Sequence, residues 1–150
     1  MKKFIILLVV AIIAACVIVY ARYQFKVNQS MVNFENNPYT SILNKEISAA
    51  ELATLINKAM NKNADNNIQR DSDGLFIEND ENSIKIDIKF VIENTEEEKE
   101  EDYIIPAENI EKSDLNEFIV AFSSAKFKCT KIDYHKKSKL VKYLYIEQLY

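Results

Sequence analysis

The chain has 150 residues and a formal net charge of −4, with 19 Lys and Arg against 23 Asp and Glu, one His, two Cys and a single Gly. That glycine, Gly74, excludes the dinucleotide fingerprint, the Walker loop and the nucleophile elbow, because each needs two or more glycines where a side chain would clash with phosphate or backbone. One histidine excludes paired-His metal sites, and a lone cysteine outside the N-terminal apolar run excludes zinc ribbons and redox pairs, so no metal, cofactor or catalytic set is expected.

The first element is an unbroken apolar run over residues 4–20, FIILLVVAIIAACVIVY, behind Lys2 and Lys3 and ahead of Arg22. At 1.5 Å per residue it forms a helix of roughly 26 Å, enough to span a hydrocarbon core when Ala21 extends it. Three fates compete. A retained signal-anchor is favoured, because the run is longer than the core of a signal peptide and does not break before Tyr20. Lipoprotein processing is the second: Ile13-Ala14-Ala15-Cys16 reads as a lipobox, with Cys16 as the lipidated residue, although Val17-Ile18-Val19-Tyr20 continue the helix where a polar tether is normal. Cleavage after Ala21 is the third. Basic residues flank both ends of the run, so charge sets its orientation only weakly. The short N-terminal tail most simply stays in the cytoplasm, which expects a single-pass cell-membrane protein with its domain outside. Without Lys2 and Lys3 the remainder carries 17 basic and 23 acidic residues, a net charge of −6, which disfavours nucleic acid as a partner.

Residues 1–21 are therefore expected to be the anchor, 22–36 a helical stem and 37–150 one small extracytoplasmic domain. In the stem Tyr20, Tyr23, Val27, Met31 and Phe34 recur at helical spacing, a stripe suited to packing on the domain or to self-association over residues 20–34. Asn37-Pro38 is expected to stop that helix. Cys129 is expected to be a buried strand residue rather than a reactive thiol.

A helix is expected over residues 49–60. Ser48 and Glu51 stand at capping-box spacing, Ile47 and Leu52 at staple positions, and Leu52, Leu55, Ile56 and Ala59 form one apolar face. Asp71-Ser72-Asp73-Gly74 fails as a calcium loop, since Gln69 and Asp80 occupy the first and last ligand positions, and it reads as a plain turn. A hairpin turning between Asp80 and Glu81 would set Ile77 opposite Ile84 and Leu75 opposite Ile86. It would share a face with Ile88, Phe90 and Ile92, a core row worth roughly 1.5–3 kcal/mol gross per side chain. The acidic run at 96–102 reads as a solvated loop. Another helix is expected after Pro106, capped by Ser113 or Asp114, with Leu115, Phe118, Ile119 and Phe122 inward.

Residues 127–134 and 140–147 read as a second hairpin turning between Lys137 and Ser138. Its register sets Lys128 opposite Glu147 and Asp133 opposite Lys142, with Thr130, Ile132, Tyr134, Val141, Tyr143 and Tyr145 on one face. The fold expected is α+β: a transmembrane helix, then two helix-plus-hairpin units forming an antiparallel sheet of about four strands. The last hairpin is basic, and Tyr134, Lys136, Lys137, Lys139, Tyr143 and Tyr145 are its candidate interaction surface for an envelope polymer or protein, against the plainer reading of lysines that keep a hairpin soluble. His135, beside the turn, is expected to be an exposed polar residue.

These features point to a membrane-anchored, non-enzymatic binding or assembly module of a bacterial cell envelope. In plan, a long apolar helix running into a stem with a sheet domain behind it resembles type IV pilins and pseudopilins, which implies a structural subunit. The prepilin cleavage motif is absent: Lys3 stands where its glycine would be and Leu8 where its glutamate would be. The two helix-hairpin units are also similar to tandem cystatin-like modules. A hydrolase using Asp71, Asp73 or Glu78 is the remaining, weaker reading, since nothing fixes a pair of carboxylates at catalytic separation.

Overall fold

A computed structural model describes residues 2–91 and 103–150. Its elements are α1 (Lys2–Thr40), β1 (Glu46–Ser48), α2 (Ala49–Asp65), β2 (Lys85–Phe90), β3 (Tyr103–Pro106), α3 (Ala107–Ser113), α4 (Leu115–Ala121), β4 (Lys126–Tyr134) and β5 (Val141–Gln148). Two units are compact, Met1–Glu35 and Asn36–Tyr150. The first is helix alone, long and apolar enough to cross a membrane. Along it Tyr20, Tyr23, Met31 and Phe34 are exposed.

The second unit begins with the last turn of α1. The helix runs past Asn37 to Thr40 with Pro38 inside it, where the sequence pattern ends it at the proline. Proline removes one amide donor from a helix, and contacts within this unit hold the turn in place. Tyr39 is buried, and the Asn36 side chain donates to Lys139 O and accepts from Val141 N, both at 2.8 Å.

Ser48 and Glu51 cap α2 as the spacing requires: Ser48 Oγ accepts from Glu51 N at 3.3 Å, and Glu51 Oε2 accepts from Ser48 N at 2.8 Å. Those bonds hold the Glu51 carboxyl below the usual carboxylate range. Leu52, Leu55, Ile56 and Ala59 are buried together. The helix continues beyond Met60 to Asp65 because Asn63 faces inward and finds partners. Its amide donates to Ile84 O at 2.7 Å and its oxygen accepts from Ile84 N at 2.8 Å.

The first expected hairpin does not form. Asp71 to Gly74 is a turn, with Asp71 Oδ1 accepting from Asp73 N and Leu75 N and Gly74 at φ +78°, but only one bridge, Arg70 to Phe76, follows from it. Further on, Asn79 Oδ1 accepts from the amides of Glu81, Asn82 and Ser83. Side chains thus occupy the backbone groups that a ladder through Ile84 would need. Ile77 is left about half exposed. Instead, β2 pairs in parallel with β5, Ile86 beside Leu144 and Ile88 beside Ile146, and antiparallel with β3, Phe90 beside Tyr103. The sheet is therefore mixed and five-stranded, in the order β1-β4-β5-β2-β3, rather than four antiparallel strands in two hairpin units. Ile92 and the acidic run at 96–102 lie outside the described residues.

The β4–β5 hairpin does form, with Lys128 opposite Glu147. Irregularities between Cys129 and Lys131 and between Asp133 and Tyr134 then shift the pairing, so that Asp133 meets Tyr143 rather than Lys142. A bulge reverses the in-out alternation of the strand that carries it. Ile132 and Val141, expected beside the tyrosines, accordingly turn toward the core with Cys129 and Leu144. The helix after Pro106 is split at Asp114, whose φ is +90° and whose side chain accepts from Asn116 N at 2.8 Å, capping α4.

Helices α2, α3 and α4 pack against the inward face of the sheet, and Ile86, Ile88, Phe127, Leu144 and Ile146 beneath them are fully buried. Phe90, Phe118, Phe122 and Phe127 form one aromatic cluster, with ring centroids 5.1–6.5 Å apart.

Ile86→Lys is expected to abolish cooperative unfolding, since it puts an unpaired ammonium into the buried core, whereas Lys137→Glu in the exposed turn should leave the melt unchanged. Asn63→Leu strands both backbone groups of Ile84 and should cost about 2–4 kcal/mol in a denaturant titration, with the exposed Asn61→Leu as the near-neutral control. Equal effects at the two asparagines would refute the role given to Asn63.

Candidate functional site

A concavity among the described residues follows from how the layers end. Because α3 and α4 are seven residues each and kinked at Asp114, they leave the end of β2 and the whole of β3 incompletely covered. What remains is a groove of about 430 Å³. Phe90, Tyr103 and Ile105 form its floor, and Ile110, Phe118 and Phe122 its wall. The inner end is closed by the aromatic cluster, so the surface offered is apolar and pre-formed, as ligand sites commonly are. Three polar side chains, Ser113, Glu117 and Gln148, reach it. Ser113 Oγ donates to Ile110 O at 3.0 Å and Gln148 Oε1 accepts from Val91 N at 3.4 Å, so both are engaged, while Glu117 makes no ion pair among the described residues.

The sequence-predicted surface is divided by the fold. Tyr143 and Tyr145 stand half-buried in mid-sheet, on the face away from the helices. Tyr134 is exposed at the end of β4, and Lys136, Lys137 and Lys139 are exposed in the turn. Around Tyr143 the face is internally satisfied. The Tyr143 hydroxyl donates to Asp87 Oδ2 at 3.1 Å, Lys85 lies 3.8 Å from the same oxygen, and Lys131 pairs with Asp133 at 2.8 Å while lying 5.5 Å over the Tyr143 ring. Burial, followed by the Asp87 charge, pushes the Tyr143 hydroxyl far above its ordinary value. The phenol is therefore a fixed donor, not a proton shuttle. Lys142 is drawn to Glu78 at 3.1 Å. His135, expected exposed, is buried with Nε2 2.8 Å from Ser83 O, tying the hairpin turn to the segment before β2.

Cys129 and Glu108 are also buried. Cys129 is fully buried, and burial pushes its thiol up to about 11, so it is a packing residue without thiolate character at neutral pH. Cys16 is exposed on α1. Glu108, in the first turn of α3, is only 2 % exposed, and its Oε2 has no hydrogen-bond partner among the described residues. Burial raises its carboxyl above the usual range, against the pull of its own amide, the Phe76 amide and Lys85, with Asp87 adding to the rise. Nothing in its sequence position marks it; its burial comes from the fold. No three His, Cys, Asp or Glu among the described residues are grouped to hold a metal ion.

No family model, curated protein or solved structure matches this chain.

Because Glu108 binds its proton more tightly folded than unfolded, its protonation supports the fold fully below the ordinary carboxylate value. That support is lost as pH rises toward the raised value. Glu108→Gln should match the native melting temperature near pH 4, exceed it at pH 7 and flatten the pH profile between, as read by circular dichroism. Cys129 should resist maleimide in the folded protein and react at once in guanidinium. Labelling at equal rates in both states would show that it is accessible.

Proposed function

We propose that the protein is a membrane-anchored, extracytoplasmic, non-enzymatic binding or assembly module of a bacterial cell envelope. The apolar groove carries this reading: what converges on it is aromatic and aliphatic surface with one carboxylate, a composition suited to holding a partner rather than to moving protons. An anchoring role for residues 1–21 is supported by α1, which is helical through Cys16 and beyond and has exposed apolar side chains throughout. Lys2 and Lys3 before the apolar run are nearly balanced by Arg22 and Lys26 after it, so the outside placement of the domain is part of the proposal rather than a reading of charge.

A second reading, a structural subunit assembling through residues 20–34, is favoured by the exposure of Tyr20, Tyr23, Met31 and Phe34. Exposed apolar rows of that kind mark contact surfaces. The lipoprotein route through Cys16 would remove everything before it and leave Val17 to Tyr20 as an apolar stub behind the lipid.

Intact mass and external protease treatment of whole cells together separate these routes. A retained anchor gives the unprocessed mass, with the domain digested from outside. A chain starting at a diacylated Cys16, or at Arg22, would replace that reading by the lipoprotein or the secreted form. Cross-linked membranes are expected to yield a protein or polymer adduct on the domain, and a reproducible absence of any adduct would count against a binding role.

A further inference from the structure

We infer that the outer edge of β3, with the groove beside it, takes an extended cationic segment of a partner protein, which adds to the sheet as a further strand. The inference rests on the binding-module reading and names the chemistry of its partner.

The two edges of the sheet differ. At one end, β1 is three residues long and presents the exposed carboxylate of Glu46, the usual protection against unwanted strand pairing. At the other end, β3 reads Tyr-Ile-Ile-Pro. It has no charge, Tyr103 and Ile104 are about half exposed, and no described strand pairs its outer edge. Pro106 removes a donor only at the last position. An apolar edge that no described strand pairs is a template for strand addition.

The groove supplies what such a strand needs for its side chains. Tyr103 and Ile105 face the helix layer opposite Phe90 and Ile88, while Ile104 faces the other way opposite Lys89. A strand laid along β3 alternates in the same manner, so every second side chain enters the groove beside Phe118. Charge decides between occupants. Glu117 is the one charged residue lining the groove and is unpaired among the described residues. On the same helix pair Glu111 is taken by Arg70, and Lys112 bonds Asp73 O. A lysine or arginine of the partner would meet Glu117, whereas a fatty-acid carboxylate or an anionic headgroup would be repelled.

The test uses the full chain in nanodiscs of zwitterionic lipid and fluorescence anisotropy of two labelled peptides, one alternating valine with lysine and one alternating valine with glutamate. The lysine peptide should bind saturably and at least about tenfold more tightly than the glutamate peptide, and Glu117→Lys should reverse that order. Ile104→Pro should weaken the lysine peptide by about tenfold or more while the thermal melt stays native. Equal affinity of the two peptides, binding of neither, insensitivity to both substitutions, or displacement of the peptide by oleate at lower concentration would each overturn the assignment. Should cross-linking in membranes recover the same partner from the native chain and from Glu117→Lys and Ile104→Pro, the binding role stands and this site alone falls.

Discussion

The grip of Asn63 on both backbone groups of Ile84 is the constraint from which the rest of the domain follows. It ends the irregular segment after α2 and fixes the residue at which β2 begins. From that point Ile86, Ile88 and Phe90 face the helices, and Lys85, Asp87 and Lys89 the other side. A one-residue slip in a strand exchanges its two faces, so moving the start of β2 would bury Lys85 and Asp87. The parallel pairing of Ile86 with Leu144 and Ile88 with Ile146 inherits the same register, and the aromatic cluster around Phe90 inherits it in turn. A buried amide that answers one donor and one acceptor specifies position, where a hydrophobic residue would specify only depth.

The groove arises at the other end of the same strand. Phe90, Phe118, Phe122 and Phe127 pack edge-on and tilted against one another, and the short helix α4 that brings Phe118 and Phe122 to this cluster leaves the end of β3 open. Core and site are thus one continuous apolar surface, closed on the inside by phenylalanine rings and open at the edge strand. Pre-organisation of this kind lowers the ordering cost that a partner would otherwise meet on binding.

Local signals in the sequence were legible where one residue type answers one backbone need. The capping box at Ser48 and Glu51, the turn at Gly74 and the helix cap at Asp114 all form where their spacing places them. The alternation through Ile84, Ile86, Ile88 and Phe90 correctly marked a half-buried strand, but alternation is silent about the neighbour. A strand with one apolar face pairs equally well with the residues before it or with β5, far along the chain. The choice fell to Asn63 and Asn79, whose side chains occupy backbone groups that a local hairpin would have used, and asparagine carries no periodic signal. Bulges defeated the face assignment of Ile132 and Val141 for a similar reason, since one extra residue changes parity without changing composition. As for the site, Tyr143 and the lysines were visible as types. The groove was not, because its floor and wall come from three separated stretches, and Glu108 and His135 are buried by segments that pack on them from elsewhere.

Asn36 joins the final turn of α1 to Lys139 and Val141, residues more than a hundred positions away. Those residues lead into β5, the central strand of the five. The last turn of α1 is thus held to the central strand as well as to the chain that leads into the edge strand β1, and losing Asn36 would leave an acceptor at Lys139 and a donor at Val141 without their partner just where β5 begins.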